Sequence, residues 1–127
     1  MSPDELEIQK IFVNVFEELK HEQKNYRSEM HKLGYKQRGE LYKHINSGYN
    51  NHEALNKAMM DFKKNGVKNK VNKWVYDLFV EHRDLYGYFE NYQNIIKEID
   101  ILLNRSVETE MYDIAEFLTY WRDKLKY

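Results

Sequence analysis

The feature that most constrains the fold is a run of mostly apolar residues from Val71 to Leu103 whose spacing alternates between four and three. Its members are Val71, Val75, Leu78, His82, Leu85, Phe89, Tyr92, Ile96, Ile99 and Leu103. Steps of four and three keep side chains on one face of an α-helix, whereas a β-strand repeats every two residues. The spacing therefore predicts one helix over residues 69–104, about 52 Å long at 1.5 Å per residue.

Two other segments carry the same helical spacing. Ser2, Pro3 and Glu5 combine a capping serine, a first-turn proline and a capping-box glutamate, and apolar residues follow at steps of three and four as far as Gly34. This pattern predicts a first helix of about 31 residues that ends at Gly34. A last helix is predicted to begin at Ser106 as its cap. Its apolar face consists of Val107, Met111, Ile114, Leu118, Trp121 and Leu125.

The segment between residues 35 and 66 has weaker periodicity and three of the five glycines. Its pattern indicates two short helices, near 37–46 and 52–64, the second capped by Asn51 and ended by Gly66. No segment alternates as a strand does. The sequence thus predicts an all-α antiparallel helical bundle with two long helices, a shorter C-terminal helix and one or two short crossover helices. At 127 residues, we expect a single helical domain over residues 1–127.

Gly87 lies in the middle of the stretch "EHRDLYGYFENY", within the long predicted helix. Because the stripe continues on both sides of it, we expect Gly87 to lie inside the helix, at a cost of about 1 kcal/mol relative to alanine. The side of that helix opposite the stripe also carries apolar side chains, so we expect a second cover there, either the short crossover helices or a partner. The residues predicted to form this partner interface are Tyr76, Phe79, Val80, Arg83, Tyr86 and Gly87.

Composition excludes several classes of site. The chain has no cysteine, so it has no disulfide and no thiolate zinc site. Glu18 and His21 have the Glu-x-x-His spacing of di-iron bundles, but a second such pair is missing, and neither a metal nor another cofactor is predicted. No stretch approaches the roughly 18 apolar residues of a membrane span, and the acidic start lacks a signal sequence. We expect a cytoplasmic protein without membrane contact.

Charge is unevenly distributed along the chain. Residues 20–73 carry 13 Lys or Arg against 5 Asp or Glu, while the segments on either side are acidic. Six lysines cluster around Gly66, where the predicted turn would present them to phosphates. These candidate nucleic-acid contacts are Lys57, Lys63, Lys64, Lys68, Lys70 and Lys73. They favour, as an alternative function, a regulator that binds DNA or RNA through residues 57–73.

A third alternative comes from the stretch Arg38-Gly-Glu-Leu-Tyr-Lys-His44. Its arginine and histidine spacing resembles the Arg-x4–6-His signature of the helical HEPN ribonucleases. The resemblance covers these seven residues. It implies a metal-free RNA-cleaving pair formed by Arg38 and His44.

The leading hypothesis is a small non-enzymatic helical protein that binds another protein as an adaptor or inhibitor. Regular helices, abundant tyrosines and the lack of a catalytic set favour it, and no catalytic residue is predicted. The two long predicted helices exceed the usual 8–20 residues, so either a second copy covers them in a homodimer, which we expect, or the longer helix bends. With 15 lysines and 12 asparagines but three alanines, the composition is typical of AT-rich genomes, which favours a phage or another mobile element.

Overall fold

The structure, a computed structural model, describes residues 3–126 and contains four α-helices. Their bounds are Pro3–Asn46 for α1, His52–Glu81 for α2, Tyr92–Glu108 for α3 and Tyr112–Asp123 for α4. No strand occurs among the described residues. The prediction of an all-α helical bundle is confirmed. The expected helix cap at Ser2 lies outside the described residues.

The first two helices form a long antiparallel hairpin. The ring centroids of Phe12 and Phe79 lie 5.7 Å apart, and Glu22 forms an ion pair with Lys68 at 3.8 Å. Later residues of α1 therefore pair with earlier residues of α2, as an antiparallel pair requires. With 44 residues, α1 is about 66 Å long. The connecting turn covers residues 47–51.

One apolar core joins all four helices at one end of this hairpin. It consists of Ile8, Phe12, Val15, Phe16 and Leu19 of α1, Val71, Val75, Leu78 and Phe79 of α2, Phe89, Ile95 and Ile99 before and within α3, and Leu118, Trp121 and Leu125 at α4. A buried polar contact adds to it, because the indole Nε1 of Trp121 donates a 2.6 Å hydrogen bond to Oδ1 of Asn72. This bond ties α4 to α2 within the apolar interior.

The other end of the hairpin extends beyond this core as a two-helix arm, formed by residues 24–46 of α1 and 52–66 of α2. Few of its side chains are buried; Ala58 is 1% exposed and His44 is 8% exposed. Gly34 is also buried, and the ring of Phe62 lies close to it. Since α3 and α4 do not cover most of the arm, many of its apolar side chains face solvent.

The predicted end of the first helix at Gly34 is wrong, and so are the separate short helices. Residues 37–46 continue α1 without a break, and residues 52–64 begin α2, which runs through Gly66. A helical glycine costs about 1 kcal/mol, which is small compared with the packing of two long helices against each other. Tertiary contact therefore outweighs the two glycines that we took as stops.

The predicted single helix over residues 69–104 is also wrong. It is two helices, because α2 ends at Glu81 and α3 begins at Tyr92. Gly87 has a φ of +79°, a left-handed conformation that no right-handed helix contains. The four-three spacing crosses the break because Phe89 returns to the core after the chain has left it.

The predicted start of the last helix requires a smaller correction. Ser106 lies inside α3, where its hydroxyl donates a 2.8 Å hydrogen bond to the carbonyl of Leu102. The residue that precedes the first turn of α4 is Met111. The prediction failed here because a serine before an apolar run has the sequence pattern of a helix cap even where its hydroxyl bonds back along its own helix.

No helix in the described part of the chain is long and apolar enough to cross a membrane.

Candidate functional site

The loop between α2 and α3, residues 82–91, has a fixed conformation and is called the tip loop below. Oδ1 of Asp84 accepts hydrogen bonds from the backbone amides of Tyr86 at 2.9 Å and Tyr88 at 2.8 Å. The amide of Asp84 donates to the carbonyl of Tyr88, and the amide of Gly87 donates to the carbonyl of Asp84. These four bonds close the loop on itself.

A side chain of α1 anchors the far end of the tip loop. The Gln9 side chain donates from Nε2 to the carbonyl of Phe89 and accepts at Oε1 from the Phe89 amide, both at 2.9 Å. The Phe89 ring is fully buried and lies within 6.0 Å, between centroids, of the rings of Phe12, Phe16 and Phe79. Gln9 thus satisfies both backbone polar groups at the point where the chain enters the core.

Arg83 fixes the near end of the tip loop. Its guanidinium carbon lies 4.8 Å from the centroid of the Phe16 ring, a cation–π contact. A Cβ added at Gly87 would lie 2.9 Å from Nη2 of Arg83, so the glycine leaves room for this side chain. A side chain at position 87 would therefore require the end of the Arg83 side chain to move.

The tip loop exposes two large apolar side chains at its turn. Leu85 is 100% exposed and Tyr86 is 94% exposed, while the residues on either side are held as described above. Exposed apolar side chains on an ordered loop can enter a partner's pocket without a large loss of conformational entropy. The loop is therefore suited to binding another macromolecule.

The predicted partner interface is not brought together as one face. Phe79 is fully buried, so it is a core residue, and Tyr76 is half-buried with its ring stacked on Phe16. Of the other predicted members, Val80 is 47% exposed, and Arg83, Tyr86 and Gly87 belong to the tip loop. Sequence analysis placed Leu85 on the core stripe; the structure places it in solvent, and the signal missed was Asp84 followed three residues later by Gly87.

The six lysines of residues 57–73 do not surround a turn, because α2 is continuous through Gly66. Three of them form ion pairs. Lys64 pairs with Glu116 at 3.5 Å, Lys68 with Glu22 at 3.8 Å and Lys73 with Asp77 at 3.0 Å.

Helical geometry also divides these lysines between faces. Lys57, Lys64 and Lys68 follow steps of seven and four and share one face of α2. At 3.6 residues per turn, Lys63, Lys70 and Lys73 lie about 100° or more away around the helix. Binding of nucleic acid by this segment stays a prediction, without a single surface that unites its members.

Arg38 and His44 lie on one helix but on different faces, about 120° apart. The Arg38 guanidinium lies over the Tyr35 ring, 4.8 Å from its centroid. His44 is buried at the hairpin turn, where Nδ1 accepts the amide hydrogen of Asn51 at 3.1 Å and the ring lies 4.4 Å from that of His52. The two side chains are not brought together, and His44 holds the turn.

The residues of the Glu-x-x-His spacing have separate contacts. Glu18 accepts from Nζ of Lys124 at 3.0 Å and from the Tyr120 hydroxyl at 2.9 Å. The bond to Glu18 raises the pKa of the Lys124 ammonium above its ordinary value. His21 instead bonds to the Asn25 amide at 3.1 Å. Within residues 3–126, no group of three His, Asp or Glu side chains is placed to hold a metal ion.

A groove on the arm is a second candidate site. It lies between α1 and Phe62 of α2 and has a volume of about 370 Å³. Arg27, His31 and Arg38 line it from α1, together with apolar side chains, and no carboxylate lines it. The groove was not predicted from the sequence, because Arg27, His31 and Arg38 are spread over 12 residues of one helix. They become neighbours only through the helical repeat.

No known protein family matches the sequence, and no characterised protein or solved structure is similar to the chain.

Proposed function

We propose that this chain is a non-enzymatic interaction protein that binds another protein through the tip loop, with Leu85 and Tyr86 as anchors. The observation that carries the proposal is their exposure, 100% and 94%, on a loop whose backbone is held by Asp84, Gln9 and Phe89. Contiguous apolar surface that is exposed on a soluble protein often marks a site of interaction with another macromolecule. An adaptor or an inhibitor would use such a surface.

The energetics of this surface fit a specific contact. Complete burial of a leucine or similar side chain contributes about 1.5–3 kcal/mol, and tyrosine is enriched among the residues that dominate binding energy. Because the loop is already ordered, little of that energy is lost in fixing it.

The charges beside the anchors indicate the chemistry of the partner. Glu81, Asp84 and Glu90 are exposed around Leu85 and Tyr86, whereas the cation of Arg83 lies on Phe16. We propose a partner with an apolar pocket and a basic rim, since complementary charge favours encounter and specificity. We also propose that this contact forms in the cytoplasm, because a chain without cysteine suits a reducing compartment.

The test is a quantitative pull-down from the native cell with three forms of the protein. The tip variant is Leu85→Ser/Tyr86→Ser. The control variant is Leu41→Ser/Tyr42→Ser, which removes the same two residue types from an exposed part of the arm. We expect one protein to be captured by the wild type and the control but at least tenfold less by the tip variant, and then to bind the purified wild type directly.

Two results would contradict the proposal. Equal capture by the wild type and the tip variant would show that the tip loop is not the contact. If the captured protein is a second copy of the chain, and sedimentation of the tip variant gives a monomer, the tip loop is a self-association surface instead. Thermal unfolding of each variant checks that the fold is intact.

A further inference from the structure

One ridge of α1 carries only cationic and aromatic side chains over six turns. Lys20, Lys24, Arg27, His31, Tyr35, Arg38 and Tyr42 follow steps of four and three, which align them along one face. Acidic residues of the same stretch lie on other faces of the helix; Glu22, Glu29 and Glu40 fall about 140° or more from Arg27. The ridge therefore presents four Lys or Arg side chains and no carboxylate, on a chain whose net charge is −1.

The central residues of this ridge have no anionic partner among the described residues. Among the described residues, neither Arg27, His31 nor Arg38 forms an ion pair, while Lys20 at the end of the ridge pairs with Glu17 at 3.7 Å. All three line the arm groove. Two arginines without an ion pair and a histidine in one groove favour an anionic ligand, because repulsion between the two guanidinium groups is relieved when it binds.

An aromatic ring lies among these cations. Tyr35 is 68% exposed, its ring lies 6.1 Å from that of His31 at an angle of 25°, and the Arg38 guanidinium lies over it. The floor of the groove is apolar, with Phe62 and Met30 beside the buried Gly34. Cations for phosphates together with exposed rings for bases are the features of a surface that binds single strands.

We propose that the arm groove is a binding site for single-stranded nucleic acid, with phosphates on Arg27 and Arg38 and a base stacked on Tyr35. The two arginines are 11 residues apart, about 16 Å along the helix, which spans roughly three to five nucleotides. A duplex would leave Tyr35 without an unpaired base to stack on, so the exposed ring favours single strands. This site is independent of the tip loop.

The first test is fluorescence anisotropy with a labelled 15-nucleotide oligo-dT and oligo-U at about 50 mM salt. The site variant is Arg27→Gln/Arg38→Gln. The control is Lys32→Gln/Lys36→Gln, the same loss of charge about 140° and 180° around α1 from Arg27. We expect the site variant to bind at least tenfold more weakly. Its salt slope should be smaller by about 1.4, because each phosphate contact with a single strand contributes about 0.7. The control should match the wild type.

The second test separates stacking from charge. Tyr35→Ala should weaken binding about tenfold, because the variant loses the stacking of one base, while Tyr35→Phe should retain it. No binding of either strand by the wild type at about 50 mM salt would overturn the proposal, and so would equal weakening in the site and control variants. A labelled 15-base-pair duplex that binds as tightly, with no effect of Tyr35→Ala, would show a general polyanion surface instead.

Discussion

Gly66 and Gly87 are both glycines, but their backbone conformations have opposite handedness. Gly66 is helical and has no atom within 4 Å of the place where a Cβ would stand, whereas Gly87 has a φ of +79° and faces Arg83. The sequence led us to predict the reverse, with Gly66 in a turn and Gly87 in a helix. The two positions therefore respond oppositely to the same substitution.

Gly66→Ala should raise the free energy of unfolding by about 0.5–1 kcal/mol, because alanine favours the helix and finds open space. Gly87→Ala should lower it by about 1–2 kcal/mol, because the left-handed conformation is strained and the new Cβ meets Arg83. Urea denaturation of the two variants measures both changes. Stabilisation by Gly87→Ala would mean that residues 82–91 are helical and that the tip loop does not exist.

Gln9 is the residue on which the position of the tip loop depends most. Gln9→Ala leaves the amide and carbonyl of Phe89 buried without a partner, and we expect a loss of about 2–4 kcal/mol in unfolding free energy. Gln23→Ala removes the same side chain from a half-buried position on the same helix and should cost about 0.5 kcal/mol or less. Chemical denaturation measures the difference. Equal effects of the two substitutions would contradict the paired bonds to Phe89.

At the scale of the elements, helical spacing predicted the fold class but not the ends of the helices. The stripe from Val71 to Leu103 contains residues of two helices and a loop, because Phe89 returns to the core in register after the chain has left it. Spacing records which residues are buried, not whether the backbone between them is helical. The turn signal of Asp84 and Gly87 was present in the sequence, and the regular stripe outweighed it in our prediction.

The two candidate sites differ in how far the sequence predicts them. Tyr86 and Arg83 were predicted as interface residues, but Leu85 was assigned to the core, since its exposure follows from the break that was missed. The arm groove was not predicted. It requires residues 24–46 to be one helix packed on α2, whereas Gly34 was read as the end of the first helix, so Arg38 and Arg27 were placed on different elements.

The turn between α1 and α2 makes one prediction about pH. The side-chain amide of Asn51 donates a 2.9 Å hydrogen bond from Nδ2 to Oε2 of Glu40. This bond lowers the pKa of Glu40 below its ordinary value of about 4.5. A carboxyl group with a lowered pKa in the folded state stabilises the fold above its ordinary pKa, and this contribution is lost as the pH falls through the folded-state pKa. The turn should therefore weaken below about pH 4.5.

Asn51→Ala should move the pKa of Glu40 back toward the ordinary value, because the hydrogen bond is the largest cause of the shift. An NMR titration of the Glu40 carboxyl group in the wild type and the variant measures this directly. An identical titration midpoint in both proteins would contradict the bond from Asn51 to Glu40.

At the scale of the whole molecule, burial divides the chain into a compact four-helix core and a less protected arm. The arm exposes large side chains that include Tyr35, Tyr42, Met59 and Met60, with exposures between 47% and 70%. Segments with few buried apolar contacts open locally at a lower free energy than the core. The homodimer predicted from the long helices stays a prediction. The arm is the surface through which two copies would associate.

Hydrogen exchange measured by mass spectrometry tests this division. In a monomer, amides of residues 36–46 and 52–60 should exchange faster than those of residues 12–19 and 71–79. In a homodimer joined through the arm, protection of the arm should rise with protein concentration over the range in which sedimentation shows association. Arm protection equal to that of the core at low micromolar concentration, in a monomer, would contradict the division.

We propose above that Tyr86 on the tip loop contacts a protein partner. The most direct measurement is photo-crosslinking in the native cell with p-benzoylphenylalanine at position 86, compared with the same residue at position 42. Both positions carry exposed tyrosines, so the two labels have similar access to solvent. We expect a discrete crosslinked species from position 86 that is absent from position 42. No crosslink at position 86, or the same species from both positions, would contradict it.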